Sequence, residues 1–238
     1  MPLPTITTPT YELELPVTKK TIKYRPFLVK EEKILVMAME SQDEKQIGRA
    51  VKDVLSSYVL TRGIKVDKLP TFEIEYLFLH VRGKSVGEQV EIMLTCPDDG
   101  VTQVPVLVDI DEIKLDMDPD HDKDIVLDDN YTLRLKYPCL GQFIKSNFNE
   151  TEVSVEDTFD LVSDCIEQVF SPEESFAASD CTKKELNTFL EQLNSKQFKK
   201  IEKFFETMPK LKHTFDIVNP KTKVNNNIVL EGLSSFFE

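Results

Sequence analysis

Apolar and polar residues alternate one by one in "YELELPV" and again in "KTIKYRPF", the period of strands with one face buried. With Thr18-Lys19-Lys20 near the turn, these stretches predict a β-hairpin that closes at Pro26. From Val29 the period lengthens to that of a helix. "VKEEKILVMAME" places Ile34, Leu35, Met37 and Ala38 on an inward face opposite Lys30, Glu31 and Glu32. "DEKQIGRAVKDVLSSYVL" predicts a second helix, capped by Asp43 and ended by Gly63, with Ile47, Val51, Val54, Leu55 and Tyr58 inward. A third begins after Pro70. "TFEIEYLFLHVRGKS" carries Phe72, Leu77, Leu79 and Val81 on a largely apolar surface, as a helix buried on more than one side would.

The period then switches to two. "QVEIMLTC", "TQVPVLVDI", "EIKLDM", "DIVLDD" and "TLRLKYP" read as short strands of one small antiparallel sheet, separated by Asp, Gly and Pro. Helical spacing returns from Cys139, in the short "CLGQFIKSNF" and then in "SVEDTFDLVSDCIEQVF", which Ser154 opens and Pro172 ends. "TKKELNTFLEQL" has Thr182 and Glu185 at the spacing of a capping box. "SKQFKKIEKFFETM" stops at Pro209, and "HTFDIVNPKTKVNNNIVLEGLSSFFE" reads as a hairpin with an apolar tail. The fold class is α+β: small antiparallel β-hairpin modules packed with amphipathic helices. Three segments follow, an N-terminal hairpin with helices (1–83), a central sheet (84–138) and a helical segment with the last hairpin (139–238), all compatible with one cooperative unit.

Charge narrows the function. Forty-two acidic residues against 29 basic ones leave a net charge of −13 in 238 residues. Nucleic-acid binders neutralise phosphates with clustered cations, and this deficit argues against them and against an anionic membrane surface. No apolar run approaches the roughly 20 residues of a membrane helix, and "MPLPTITTPTYELELP" lacks the features of a signal peptide. Cys96, Cys139, Cys165 and Cys181 include no CxxC pair and are expected to be reduced.

Candidate chemistry centres on "LTCPDDG", which looks like half of a zinc knuckle with Asp99 where the second cysteine belongs. Laying Pro97 on Pro220 gives it a twin: "VEIMLTCPDDGVTQVPVLVDIDEI" matches "KHTFDIVNPKTKVNNNIVLEGLSS" in strand, turn and strand. The four ligand positions would be Cys96, Asp99, Asn219 and Thr222. Only one is a thiolate, whereas structural zinc needs four good donors. The expectation is therefore a degenerate, zinc-ribbon-like pair of hairpins whose metal is lost, with two unrelated hairpins as the alternative. "DMDPDHDKD" has the acids of a calcium loop but neither the required Gly nor the closing Glu in any register. His80, His121 and His213 stand apart, and no nucleophile-elbow, zincin, P-loop or dinucleotide motif occurs. No cofactor is implied and no enzyme is expected, although carboxylate pairs assembled in space could still cleave sugars. In "KKIEKFFETM", Phe198, Ile201, Phe204 and Phe205 form one stripe, and Lys199, Lys200 and Lys203 face away. Phe236 and Phe237 end the chain as an apolar plug, for this protein's own core or for a neighbour.

Three stretches together resemble a known family. "KTIKYRPFLVKEEKILVMAMES", "VRGKSVGEQVEIMLTCPDDG" and "NNNIVLEGLSSFF" are similar to T4-like phage baseplate proteins, which include a baseplate hub subunit and a hub assembly factor. The resemblance implies a structural component of the hub of a contractile tail baseplate, bound to other hub and tail proteins in the virion and assembled in the host cytoplasm. It leaves room for a transient assembly factor and, more distantly, for a hub-associated peptidoglycan hydrolase.

Overall fold

The computed structural model describes residues 6–41, 43–148 and 155–232. Ser154, Phe236 and Phe237 lie outside them. β1 (Tyr11–Glu14) and β2 (Thr21–Tyr24) pair antiparallel, Tyr11 opposite Tyr24. The turn between them is held from below by Glu73, whose fully buried carboxylate accepts from Val17 N at 3.1 Å, Thr18 N at 2.7 Å and Thr18 Oγ1 at 3.0 Å. A buried carboxylate is tolerated when such donors replace its water.

Helix α1 (Val29–Glu40) differs from expectation in the face it buries. Glu31 is only 2 % exposed, whereas Ile34, Val36 and Met37 are 46, 49 and 58 % exposed. The cause is a two-point ion pair: Arg25 donates to both Glu31 oxygens, at 2.7 and 3.0 Å, and Leu28 N adds a third bond at 2.6 Å. Burial would raise the Glu31 carboxyl, but these bonds together hold it below its usual value. That anchor rotates the helix so that Glu31 and Ala38, seven residues apart, face inward. α2 (Glu44–Tyr58) buries Ile47, Val51, Val54, Leu55 and Tyr58 as its periodicity predicts. α3 (Thr71–Val86) is the central helix, with Phe72, Ile74, Leu77, Leu79 and Val81 all at 2 % exposure or less.

The middle of the chain does not make one sheet. β3 (Gln89–Thr95) and β4 (Gln103–Asp109) form a hairpin alone. β5 (Lys114–Asp116) instead joins the C-terminal hairpin, with Leu115 opposite Leu211. β6 (Asp124–Val126) and β7 (Thr132–Leu135) enter a four-stranded sheet with two later strands. α4 (Leu140–Phe148) then packs Leu140 and Phe143 back into the first core.

α5 (Val155–Cys165) is shorter than its apolar pattern suggested. The chain continues as β8 (Ile166–Phe170), pairing Val169 with Leu133, and as β9 (Ser175–Ala177). "IEQVF" supplies two β-branched residues, Ile166 and Val169, and the aromatic Phe170, all of which favour a strand, and β7 offers it an edge to complete. α6 (Lys183–Glu191) starts with the expected capping box between Thr182 and Glu185, and α7 (Ser195–Thr207) with one between Asn194 and Gln197. β10 (Lys210–Val218) and β11 (Asn225–Glu231) close the described chain.

Two buried clusters result. One gathers β1 to β4, α1 to α4 and β10; the other gathers β6 to β8 and α5 to α7. The second is an excursion between β5 and β10, which meet at its neck. Aromatic rings bridge the two: Phe72 lies edge-on to Tyr137 at 4.9 Å, and His121 sits 5.5 Å from Tyr137 and 5.0 Å from Phe204.

Candidate functional site: two facing turns

The turns of the β3–β4 and β10–β11 hairpins lie against each other and share their inner backbone closure, although the first loop is one residue longer, with Cys96 N on the Thr102 carbonyl and Asn219 N on the Val224 carbonyl. In the first, Gly100 N donates to the Cys96 carbonyl at 2.9 Å; in the second, Lys223 N donates to the Asn219 carbonyl, also at 2.9 Å. Each ends in a left-handed residue, Gly100 at φ +66° and Lys223 at φ +65°. The Pro97-on-Pro220 alignment therefore pairs structurally equivalent positions.

What joins the turns is a carboxylate. Asn219 Nδ2 reaches both oxygens of Asp98, at 2.9 and 3.1 Å, Asn226 Nδ2 donates to Oδ1 at 3.1 Å, and Thr222 Oγ1 donates to Oδ2. Asp98 N returns a bond to Asn226 Oδ1 at 3.2 Å. Asn219 is fully buried and Asn226 nearly so. The bonds from Asn219, then Thr222, then Asn226, prevail over desolvation and hold the Asp98 carboxyl below its usual value.

Three of the four predicted positions divide between two tasks. Asn219 and Thr222 converge on Asp98. Asp99 turns back into its own turn, accepting from Thr102 Oγ1 at 2.5 Å, Thr102 N at 2.9 Å and Val101 N at 3.1 Å, which holds its carboxyl far below the ordinary range. Cys96 is fully buried, and burial, then the charges of Asp98 and Asp99, push its thiol up. Sequence comparison missed Asp98 and Asn226, because a knuckle pattern asks only about ligand positions. The available signal was polarity: Asn226 interrupts an otherwise alternating strand at an inward position.

The other candidates are occupied locally. Asp124 makes a two-point pair with Arg134 at 2.6 and 2.7 Å, Asp116 binds Lys212 at 3.1 Å, and Asp118 and Asp122 cap their own loop. His80 Nδ1 bonds the Tyr76 carbonyl at 2.8 Å, and burial lowers its pKa. His121 Nδ1 meets Thr207 Oγ1 at 2.9 Å, and His213 lies in β10. The four cysteines are free thiols, with burial pushing Cys165 up to about 12. Among the described residues no three His, Cys, Asp or Glu side chains converge as a metal site would require, and no helix is long and apolar enough to cross a membrane.

A family model described as T4 bacteriophage base plate protein matches residues 8–238, nearly the whole length. The chain belongs to that family. No curated protein and no solved structure matches it significantly. Membership makes this a phage baseplate protein, structural in class, whose partners are other baseplate proteins. For a baseplate protein the facing turns are best understood as a fastening between two hairpins. They present no paired acid and base to a substrate, and the carboxylate at their centre is fully engaged.

Proposed function

We propose that this baseplate protein is a structural component of the hub of a contractile tail baseplate, acting through protein–protein interfaces and not through bond-making side chains. The family match over residues 8–238 carries the reading. The surface supplies contact area: the outward face of the β3–β4 hairpin sets Met93 opposite Pro105 and Glu91 opposite Leu107, with Met93 and Leu107 more than half exposed. Exposed apolar residues grouped on one face mark an interaction surface more often than scattered ones do. We read the facing turns as a zinc-ribbon-like pair in which the Asp98 carboxylate and its donors do the joining that an ion would otherwise do. Phe236 and Phe237 are proposed contacts to a neighbour, and segments 1–83, 84–138 and 139–238 are proposed to unfold as one unit.

Purified tails test the role. The chain should be present in fixed ratio to hub components, and the double variant Met93→Asp with Leu107→Asp should fold normally yet be left out of particles. Absence of the unmodified chain from finished tails would replace this reading with that of a transient assembly factor. Incorporation of the double variant at the normal level would remove the hairpin face from the interface.

A further inference from the structure

A recess of about 140 Å³ opens between the β1–β2 turn and the segment joining α2 to α3, lined by Lys20, Gly63, Ile64, Lys65, Lys68 and Leu69. Three of these six residues are lysines and none is acidic, in a chain whose acids outnumber its bases by 13. The nearest acid in sequence, Asp67, is paired with Lys52 at 3.4 Å. Among the described residues Lys20, Lys65 and Lys68 enter no ion pair, while many other lysines of the chain do. Like charges gathered around a concave surface repel one another and raise the local potential, so the arrangement favours an anion in the recess.

The frame beneath them is fixed. Lys20 is held by its carbonyl, which accepts from Leu15 N at 2.9 Å, and its turn is fastened by Glu73. Lys65 and Lys68 flank a single tight turn in which Lys68 N bonds the Lys65 carbonyl at 3.0 Å, anchored by the buried Val66 and Leu69. Gly63, at φ +86°, leaves open space where a Cβ would stand. The recess has room for one tetrahedral or planar group of a few heavy atoms, not for an extended ligand.

We propose that this recess binds a single oxyanion, a phosphate or a carboxylate, coordinated by Lys20, Lys65 and Lys68. The anion is either free or carried on an acidic segment of a neighbouring protein, and the two sources separate experimentally. Amide NMR spectra of the full chain are recorded with inorganic phosphate and, separately, with a short Asp/Glu peptide, each against sodium chloride at equal ionic strength. Saturable shifts at Lys20 and across Gly63–Leu69 are expected with at least one probe. Phosphate alone identifies a free ion, and the peptide, with or without phosphate, identifies a carboxylate donor. Because all three lysines are exposed, Lys65→Gln with Lys68→Gln should fold normally and weaken binding by about five-fold per charge removed. Shifts no larger than those of sodium chloride with both probes, or equal affinity in the double variant, would overturn the proposal.

Discussion

In the Cys96–Gly100 turn and the Asn219–Lys223 turn the backbone closes with the same bond at the same 2.9 Å, and the last residue takes the same left-handed conformation. The side chains differ in kind. Cys96 makes the first turn's inner position apolar, and Asp99 satisfies that turn from within. The second turn's inner position is Asn219, which bonds its own Lys221 N at 2.8 Å through Oδ1 while its Nδ2 crosses to Asp98. Each turn is therefore braced from within, by Asp99 in the first and by Asn219 Oδ1 in the second, but the inner position reaches across to the neighbouring turn only in the second. The shared backbone does not specify what holds a pair of turns together; a polar residue at one buried position does.

Removing that residue should have the largest effect. Asn219→Ala deletes two donor contacts to Asp98 and the acceptor for Lys221 N, from a fully buried side chain whose partners Asp98 and Lys221 are themselves exposed. The expected cost is about 2 kcal/mol in urea unfolding, the range for lost hydrogen bonds to a charged group whose carboxylate water can partly resolvate. Cys96→Ala, at the equivalent position, removes only a small buried thiol and should cost about 1 kcal/mol. Equal losses at the two sites would show that the asymmetry between the turns has no energetic content.

Acidification acts on the same network. Asp98 and Asp99 both have folded values below the ordinary 3.8, so their contribution is fully present above about pH 5 and is lost as the pH falls below 3.8 and through the folded values. Asp98→Asn removes one of these titrations. Its stability should fall less steeply than the parent's below pH 4, although it starts lower at pH 7. Parallel curves across pH 2–5 would mean that Asp98 is not the carboxylate fastening the turns.

Much of this was readable in the sequence where local chemistry decides. The Thr182–Glu185 capping box and the apolar circumference of α3 depend on residues a few positions apart, and the Pro97–Pro220 correspondence compares two patterns that are each local. The departures depend on partners far away. α1 keeps Leu35 and Ala38 against the core but turns Ile34 and Met37 outward because Arg25 anchors Glu31, and an ion pair outweighs a modest apolar preference on a solvent-facing helix. Ile166–Phe170 left its helix because β7 presented an edge. Asp98 looked like one acid among many until Asn219 and Asn226, more than 120 residues away, came to face it. Membership of the baseplate family came from resemblance along the whole chain, and no single residue pattern would have implied it.

Effects smaller than that of Asn219→Ala lie at the ends of the two turns, where the conformation is shared and the residue is not. Gly100 adopts φ +66° without strain, and a Cβ there would meet no atom within 4 Å. Gly100→Ala should therefore cost only the backbone penalty of the left-handed region, about 1–2 kcal/mol. Lys223 already bears that penalty at φ +65°. Lys223→Gly relieves it but adds freedom to the unfolded chain worth about 0.5–1 kcal/mol, leaving a net gain of about 0.5 kcal/mol. Opposite signs at the two positions, measured as shifts in the urea midpoint at constant slope, would show that the second turn keeps its shape against its own residue's preference. Its neighbours Asn219, Thr222 and Asp98 are what hold it there. A loss on Lys223→Gly would mean instead that the lysine side chain itself contributes more than its backbone conformation costs.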